Sequence, residues 1–462
     1  WKYFEDINID RIVHTDSVEY RNLKLMCRET VFYCIVLLVI TFYAYTLQSR
    51  DVFDVSRQQI DYWSGCDTLG NCKIKGVDNM AGFWNWMQTE FVPHAFTENP
   101  PNTPKVATIV PFSGNNDFPV TLNPRFVGPS MSHVMLGTIR MRQLRVVRNQ
   151  GCTVSSLFAH IFPDCYAPYS AGVQSKQNYA PRFAPTYLRN AYVWNEEDET
   201  RQISMMGSMS TYGGDGFMVD LPANGSDASG ILSDLWKWHW VDRATRAVAL
   251  EFSSLNINVN VIVNTRILFE FGATGSISTT TKSDAARVFF FTPSTNGGAP
   301  LTTLILMIII VPVFVLYTCL TCGLMYKTCQ NYMGRNPLTR MQKVGPIKSL
   351  SFIAGTLFHW GRYGWNLVDL AILTLFWTHM GFRWDTYAKK GSEENLAPNV
   401  IGSPELFMPF SRVMTSVENA NMTLALLTLL AWVKLFKYLC MSSYFRLLVR
   451  ILERCALRLA IF

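Results

Sequence analysis

Three charged side chains stand inside runs that are otherwise apolar enough to enter a bilayer. Asp369 lies in Gly364 to Gly381, and Lys434 and Lys437 lie three apart on one helical face in Met422 to Met441. A charge at mid-bilayer costs about 2.5–3.5 kcal/mol on insertion scales, so such residues face a bundle interior and pair. The chemistry open to them is movement of charge through the membrane field, as a voltage-sensor-like helix with Asp369 as countercharge. The alternative is that both lysines, a few residues from the helix end, snorkel to the cytosolic interface.

Catalytic chemistry finds little support. The histidines are scattered and the chain carries no HExxH, GxSxG, Walker or GxGxxG motif, so no enzyme, cofactor or metal site is expected. Glu196, Glu197, Asp198 and Glu199 form an acidic run that reads as a solvated loop. Cys319 and Cys322 have CxxC spacing but sit in an apolar helix, where thiols pack. Cys66, Cys72, Cys152 and Cys165 lie instead in a long polar insert between two apolar spans. An even number of thiols in an oxidising compartment implies two bridges, and local pairing, 66 with 72 and 152 with 165, is the cheapest of three possibilities. The same insert holds Lys105, Arg140, Arg142, Arg145 and Arg148, which membrane insertion does not call for. It also holds a glycosylation sequon at Asn224-Gly-Ser226, whereas the sequon Asn421-Met-Thr423 abuts a span and is expected to be poorly used.

The elements that must position these residues follow from hydropathy. The chain is 49% hydrophobic and 16% charged, with a mean hydropathy of +0.11, which fits spans combined with a soluble domain. Four spans are predicted: Thr30 to Gln48, Leu301 to Tyr326, Gly364 to Gly381 and Met422 to Met441. A span needs roughly 20 residues, so the third is short and is expected to begin earlier, near Phe358. No cleavable signal peptide is expected, because the first apolar run starts near residue 30 and no small-residue cleavage site follows it. Arg21, Lys24 and Arg28, and the loop 327–348 with Lys327, Arg335, Arg340, Lys343 and Lys348, mark the cytosolic side. Both termini are then cytosolic, and residues 50–299 and roughly 382–415 lie outside. The net charge of +7 concentrates in that loop, so it is no nucleic-acid signature. After Met441, Arg446, Arg450, Arg454 and Arg458 recur every four residues among leucines, an amphipathic cytosolic helix on the membrane surface.

The insert is long enough for one folded domain. Trp63, Trp84, Trp86, Trp194, Trp236, Trp238 and Trp240 would supply core mass. Residues 256–271 alternate, with Ile257, Val259, Val261, Val263, Ile267, Phe269 and Phe271 on one side and Asn256, Asn258, Asn260, Asn264, Arg266 and Glu270 on the other. That predicts a strand with one face on a core and an Asn-rich polar face exposed. Arg246 to Phe252 is the expected partner strand, Asn79 to Glu90 a short helix, and Tyr212 to Gly216 a turn. The predicted domain is α+β, an antiparallel sheet with helices on one side.

One span, a large outer domain and three further spans with lysines in the last is an order that resembles the polycystin family of TRP channels, in its polycystin-2-like branch. The matching motifs are Phe83-Trp84, LGTIRMRQLRVVRNQGC (136–152) with its second cysteine at Cys165, YGGDGFMVDL (212–221), WVDRATRAVALEFSSLNINVNVIVNTRILFEFGATG (240–275), WNLVDLAIL (365–373) and WVKLFKY (432–438). The resemblance implies a cytosolic segment at 1–29, a first transmembrane helix at 30–48 and an extracellular polycystin (TOP) domain at 49–299. It implies transmembrane helices 2–4 within 300–441 and a cytosolic linker helix at 442–462. It further implies a Cys152–Cys165 disulfide, gating-type lysines at 434 and 437, and a homotetramer or polycystin hetero-oligomer. The implied activity is that of a non-selective, calcium-permeable cation channel in a ciliary, flagellar or plasma membrane.

Two departures from the family pattern matter. The family's second helix ends in a run of acids, where this chain reads MYKTCQN (325–331). No fifth span, pore helix or filter is found before Phe462, so the pore region is expected to be absent from this chain. The competing expectation is a non-conducting, polycystin-1-like or structural subunit whose outer domain holds an extracellular protein partner. Membrane lipids are partners in either case.

Overall fold

The computed structural model describes residues 18–47, 50–97, 107–109, 120–122, 125–256, 258–259, 261–287, 299–333, 364–392, 406–408 and 410–439, with single residues at 451 and 455. The chain divides into two units. One comprises Trp1–Ser49, Phe290–Trp384 and Glu418–Phe462, and the other Arg50–Phe289 with Asp385–Val417. Lys105, most of the basic loop 327–348 and most of the amphipathic segment 442–462 lie outside the described residues.

The helices relevant here are α1 (Val18–Leu47), α2 (Arg50–Ser64), α3 (Met80–Trp86), α4 (Val92–Ala95), α5 (Glu197–Thr200), α6 (Gly225–Lys237), α7 (Ala299–Met333), α8 (Gly364–Ser392) and α9 (Phe410–Leu439). The strands are β1 (Ala107–Ile109), β2 (Val120–Leu122), β3 (Phe126–Val127), β4 (His133–Arg145), β5 (Trp194–Asn195), β6 (Met205–Met206), β7 (Thr211–Tyr212), β8 (Gly216–Leu221), β9 (Thr245–Asn256), β10 (Val261–Phe271) and β11 (Ile277–Ala286).

The second unit is built on an antiparallel sheet ordered β11-β10-β9-β4-β8-β5, with β3 on β4. On one face Trp63 of α2, Phe83, Trp84 and Trp86 of α3, and Leu232 and Leu235 of α6 pack against Ile139, Met141, Val248, Leu250, Ile267 and Phe269. Asn79 starts α3 by accepting from the Gly82 amide at 2.7 Å, which satisfies a donor the first turn leaves free. Trp63, Trp84, Trp86 and Trp240 are core residues, but Trp236 is exposed.

The alternation over 256–271 does not mark a solvent face. The strand begins at Val261, and every residue to Phe271 is buried. Segments distant in sequence cover the second face. Met205 and Tyr212 pack on Leu144, Ala247, Ala249 and Leu268. Met408, Phe410, Val413, Met414 and Val417 pack on Leu136 and Ile262, so helical turns lie on this face too. The polar residues form an internal network instead. Asn264 donates to Glu251 at 3.2 Å and accepts from Ser253 at 2.9 Å, and Arg266 pairs with Asp284 at 2.5 Å. Glu270 accepts from the Ser208, Met209 and Ser210 amides and from the Ser208 and Tyr212 hydroxyls. Burial alone would raise its pKa, but these donors outweigh burial and hold the carboxyl below its ordinary value. Its contribution to stability is therefore complete above the ordinary carboxylate range and is lost as pH falls through the lowered folded value.

In the first unit, Leu37, Ile40 and Tyr43 of α1, Ile310 and Phe314 of α7, Ile372, Leu373 and Phe376 of α8, and Leu424, Leu427 and Ala431 of α9 form one core. Phe314 and Phe376 stack with ring centroids 3.7 Å apart. Outward positions such as Leu38, Phe42, Ile308, Leu320 and Leu429 are exposed, as lipid-facing positions of a bundle would be. Among the described residues, three stretches are long and apolar enough to cross a membrane: Cys27–Ser64, Ile305–Lys327 and Phe410–Tyr438. The predicted third span lies within α8, which is long enough but carries Asp369, Arg383 and Asp385. That helix runs on to Ser392, and the expected start near Phe358 lies outside the described residues; α9 starts at Phe410 rather than near Met422. Both ends of the expected outer segment 382–415 are thus helical.

Candidate functional site

The stripe Leu427, Ala431, Lys434 and Tyr438 follows i, i+4, i+7, i+11 spacing along α9 and is buried throughout, the periodicity of one helix face. Lys434 is therefore carried inward by the same face that fills the core. It is only 3% exposed, and its Nζ lies 2.6 Å from Asp369 Oδ1 on α8. Tyr317 of α7 completes the site: its hydroxyl donates to Asp369 Oδ1 at 2.7 Å and accepts from Lys434 Nζ at 2.6 Å. The ammonium also lies over the rings of Tyr33 and Tyr317, at 4.7 and 4.8 Å. Tyr33 of α1 stacks on Tyr438. All four described helices of this unit thus contribute to one neutralised charge. Such an arrangement can keep a cation inside an apolar bundle.

The two lysines differ in placement. Among the described residues Lys434 alone of the pair reaches Asp369, while Lys437 lies over the Tyr438 ring at 5.7 Å. Three residues along a helix turn a side chain by about 300°, so Lys437 leaves the core-facing stripe. The sequence also concealed Tyr33 and Tyr317. Their one signal is a hydroxyl in an apolar span, which needs a partner when buried.

A second set of polar contacts holds α9 at an earlier turn. His379 of α8 is fully buried, with Nδ1 2.7 Å from the Ala420 carbonyl and Nε2 3.1 Å from the Tyr43 hydroxyl. Arg383 donates to Asn421 Oδ1 at 2.9 Å. Lower down, the Tyr33 hydroxyl donates to the Ala431 carbonyl at 2.6 Å.

In the sheet unit, Arg140, Arg142 and Arg145 are internal struts. Arg140 makes a forked pair with Asp220, both bonds at 2.6 Å, and Arg145 makes one with Asp242, both at 2.8 Å. Arg142 is fully buried and donates to the Gly213 and Asp215 carbonyls. Burial lowers its pKa against the pull of Glu251 and Asp215. Arg148 approaches Asp164 at 3.5 Å. The acidic run forms the short helix α5 rather than a loop, with Glu199 accepting from the Glu196 amide at 3.1 Å.

Arg140 has a further role. The ladder between β4 and β9 shifts register between Leu136 and Arg140, and at this bulge the Thr138 amide bonds the Leu406 carbonyl at 3.0 Å. Phe407 then lies under the Arg140 guanidinium at 4.2 Å. Gly137 takes φ +73 there, and a Cβ at that position would meet the Leu406 oxygen at 2.1 Å.

Cys66 is bonded to Cys72 and Cys152 to Cys165. The second loop exposes Leu157, Phe158, Ile161 and Phe162. Asn224 is exposed and caps α6 by accepting from the Ser226 amide at 3.2 Å.

Comparison with known proteins bears on both units. Residues 73–289 match the family model described as Polycystin domain, and residues 359–462 match that described as Polycystin cation channel. The chain is 25% identical over 443 residues to Polycystin-2 of Danio rerio, covering 94% of this chain and 42% of that protein. It is 24% identical over 456 residues to Polycystin-2 of Caenorhabditis elegans, covering 94% and 53%. Against Polycystin-2-like protein 1 of Homo sapiens it is 23% identical over 447 residues, covering 96% and 48%. The chain thus spans about half the length of the curated relatives it matches. The two matched regions take in both the arginine-strutted sheet and the Lys434–Asp369 pair, and similarity extends along nearly the whole chain: it belongs to the polycystin family.

Proposed function

We propose that this chain is the sensing and outer-domain part of a polycystin-2-like, non-selective and calcium-permeable cation channel subunit. Its membrane is ciliary, flagellar or plasma membrane, and it assembles as a homotetramer or polycystin hetero-oligomer. The observation that carries the reading is the buried Lys434–Asp369–Tyr317 site, whose Lys434 and Asp369 fall within the stretch that matches the polycystin cation channel model. A cation neutralised locally in a bundle is what a membrane field can act on. Each charge crossing 100 mV is worth about 2.3 kcal/mol, so two lysines in each of four subunits would supply about 18 kcal/mol over a full crossing. One countercharge supports only partial displacement and a shallow voltage dependence. In the full-length protein, Lys434→Gln/Lys437→Gln should flatten the conductance–voltage curve, and a wild-type slope in that double variant would reduce the lysines to packing and snorkelling.

The outer domain carries assembly and partner binding in this reading. The exposed apolar side chains of the Cys152–Cys165 loop suit subunit contact. Asn224 is the acceptor of an N-linked glycan on the extracellular side. A mobility shift on glycosidase treatment, lost in Asn224→Gln, is the expected result; an unglycosylated mature protein would argue against an extracellular sheet domain.

A further inference from the structure

Two carbonyls of α9, those of Ala420 and Ala431, each face a buried hydrogen-bonding side chain of another helix. Eleven residues separate them, close to three full turns and about 16 Å of rise, so both lie on one stripe of the helix. Between them the stripe carries Leu424 and Leu427. The alanines are where the side chain is small enough for a phenol or an imidazole to reach the backbone.

We propose that Tyr33 and His379 act as positioning residues, a two-level latch that grips the backbone of α9 and fixes its register. The proposal rests on the reading of α9 as the sensor helix. His379 spans three helices at one level: its Nδ1 donates to Ala420 of α9, and its Nε2 accepts from Tyr43 of α1. Tyr33 supplies the other level, donating to Ala431 while its ring stacks on Tyr438 and lies under Lys434. Helix ratchets move in steps of one turn, about 5.4 Å. A step in one sense brings carbonyls beside Leu424 and Leu435 to these positions; a step in the other brings Leu427 to the Tyr33 level and Ser416 to the His379 level, so in either sense a larger side chain blocks the approach of Tyr33. The latch therefore closes well in one register. Departure breaks the Tyr33 hydrogen bond together with the Lys434–Asp369 contact.

The latch acts on backbone and not on charge, which separates its effect from that of the lysines. In the full-length protein, Tyr33→Phe and His379→Phe should each displace the midpoint of the conductance–voltage curve in the same direction and leave its slope unchanged. A net hydrogen bond of ordinary strength corresponds to about a fivefold change in the register equilibrium per subunit. His379→Gln, whose amide can both donate to Ala420 and accept from Tyr43, should return the midpoint toward wild type. Unchanged midpoints in both phenylalanine variants at normal surface expression, or shifts of opposite sign, overturn the latch. Hydrogen exchange of the α9 amides tests it without reference to voltage. Both phenylalanine variants should speed exchange about fivefold around Ala420 and Ala431, and unchanged exchange overturns the latch whatever the lysine double variant does to the slope.

Discussion

Asp369→Ala should destabilise the helical unit by about 3–5 kcal/mol, among the largest effects available to a single substitution in this chain. Asp369 is the acid that both Lys434 and Tyr317 address. Without it a cation 3% exposed keeps only a phenol and two ring faces. Inserting a pair into an apolar bundle is itself costly, so the intact pair adds little net stability. Removing one member is what exposes the cost. The double variant Asp369→Ala/Lys434→Met should therefore recover most of the loss, because it removes the stranded charge and fills the volume with an apolar chain. Thermal unfolding of the detergent-solubilised protein, measured for both singles and the double, gives the coupling between the sites. A single Asp369→Ala variant within about 1 kcal/mol of wild type, where uncoupled surface changes fall, would mean that water or another acid neutralises Lys434. Sensor and stability effects also separate in this series: the double variant should fold yet carry less charge on α9.

What the sequence revealed about the site depended on how local the cause was. Asp369 stood out because an acid in an apolar run has few physical explanations. Lys434 and Lys437 stood out together, and their spacing could not say which one faces the bundle; the stripe through Leu427, Ala431 and Tyr438 decides that. Tyr33, Tyr317 and His379 were silent, since a hydroxyl or imidazole in a span is common and only a tertiary contact gives it a role. The arginines of 140–148 were visibly out of place, but the partners of Arg140 and Arg145, Asp220 and Asp242, lie far along the chain. The same distance explains the misreading of 256–271. Period-two alternation is an intrinsic property of a strand, but whether its polar side meets water depends on what lies over it. Here the cover comes from around Met205–Tyr212 and from Met408–Val417, and nothing within the strand announces either. The helix ends failed for a related reason. Residues 382–392 and 410–421 are polar enough to look like loop, yet Arg383, Ser416 and Asn421 form hydrogen bonds to residues on the facing helix, α8 or α9.

Gly137→Ala should be the most damaging small substitution in the sheet unit, and the comparison with Gly275→Ala shows why. Both glycines have positive φ, +73 and +91, so each replacement carries the left-handed cost of an L-residue, about 1–2 kcal/mol. At Gly275 a Cβ meets nothing within 4 Å, and that cost is the whole effect. At Gly137 the new carbon would lie 2.1 Å from the Leu406 backbone oxygen and 3.0 Å from Met408 Cγ. A backbone oxygen cannot rotate away as a side chain can, so residues 406–408 must leave the bulge. That forfeits the Thr138–Leu406 hydrogen bond, about 1 kcal/mol net, and the Phe407 contact with Arg140, worth about 1 kcal/mol more. It also uncovers Leu136 and Ile262, which Met408 and Phe410 bury. The loss for Gly137→Ala should therefore exceed that for Gly275→Ala by at least about 2 kcal/mol. Limited proteolysis should show new cleavage near Leu406 only in the first. Equal stabilities and equal cleavage patterns would mean that the segment before α9 is not seated at this bulge. Unequal ones would show that a glycine in β4 controls how the start of α9 is held, a constraint set by backbone geometry and independent of any charge on the helix.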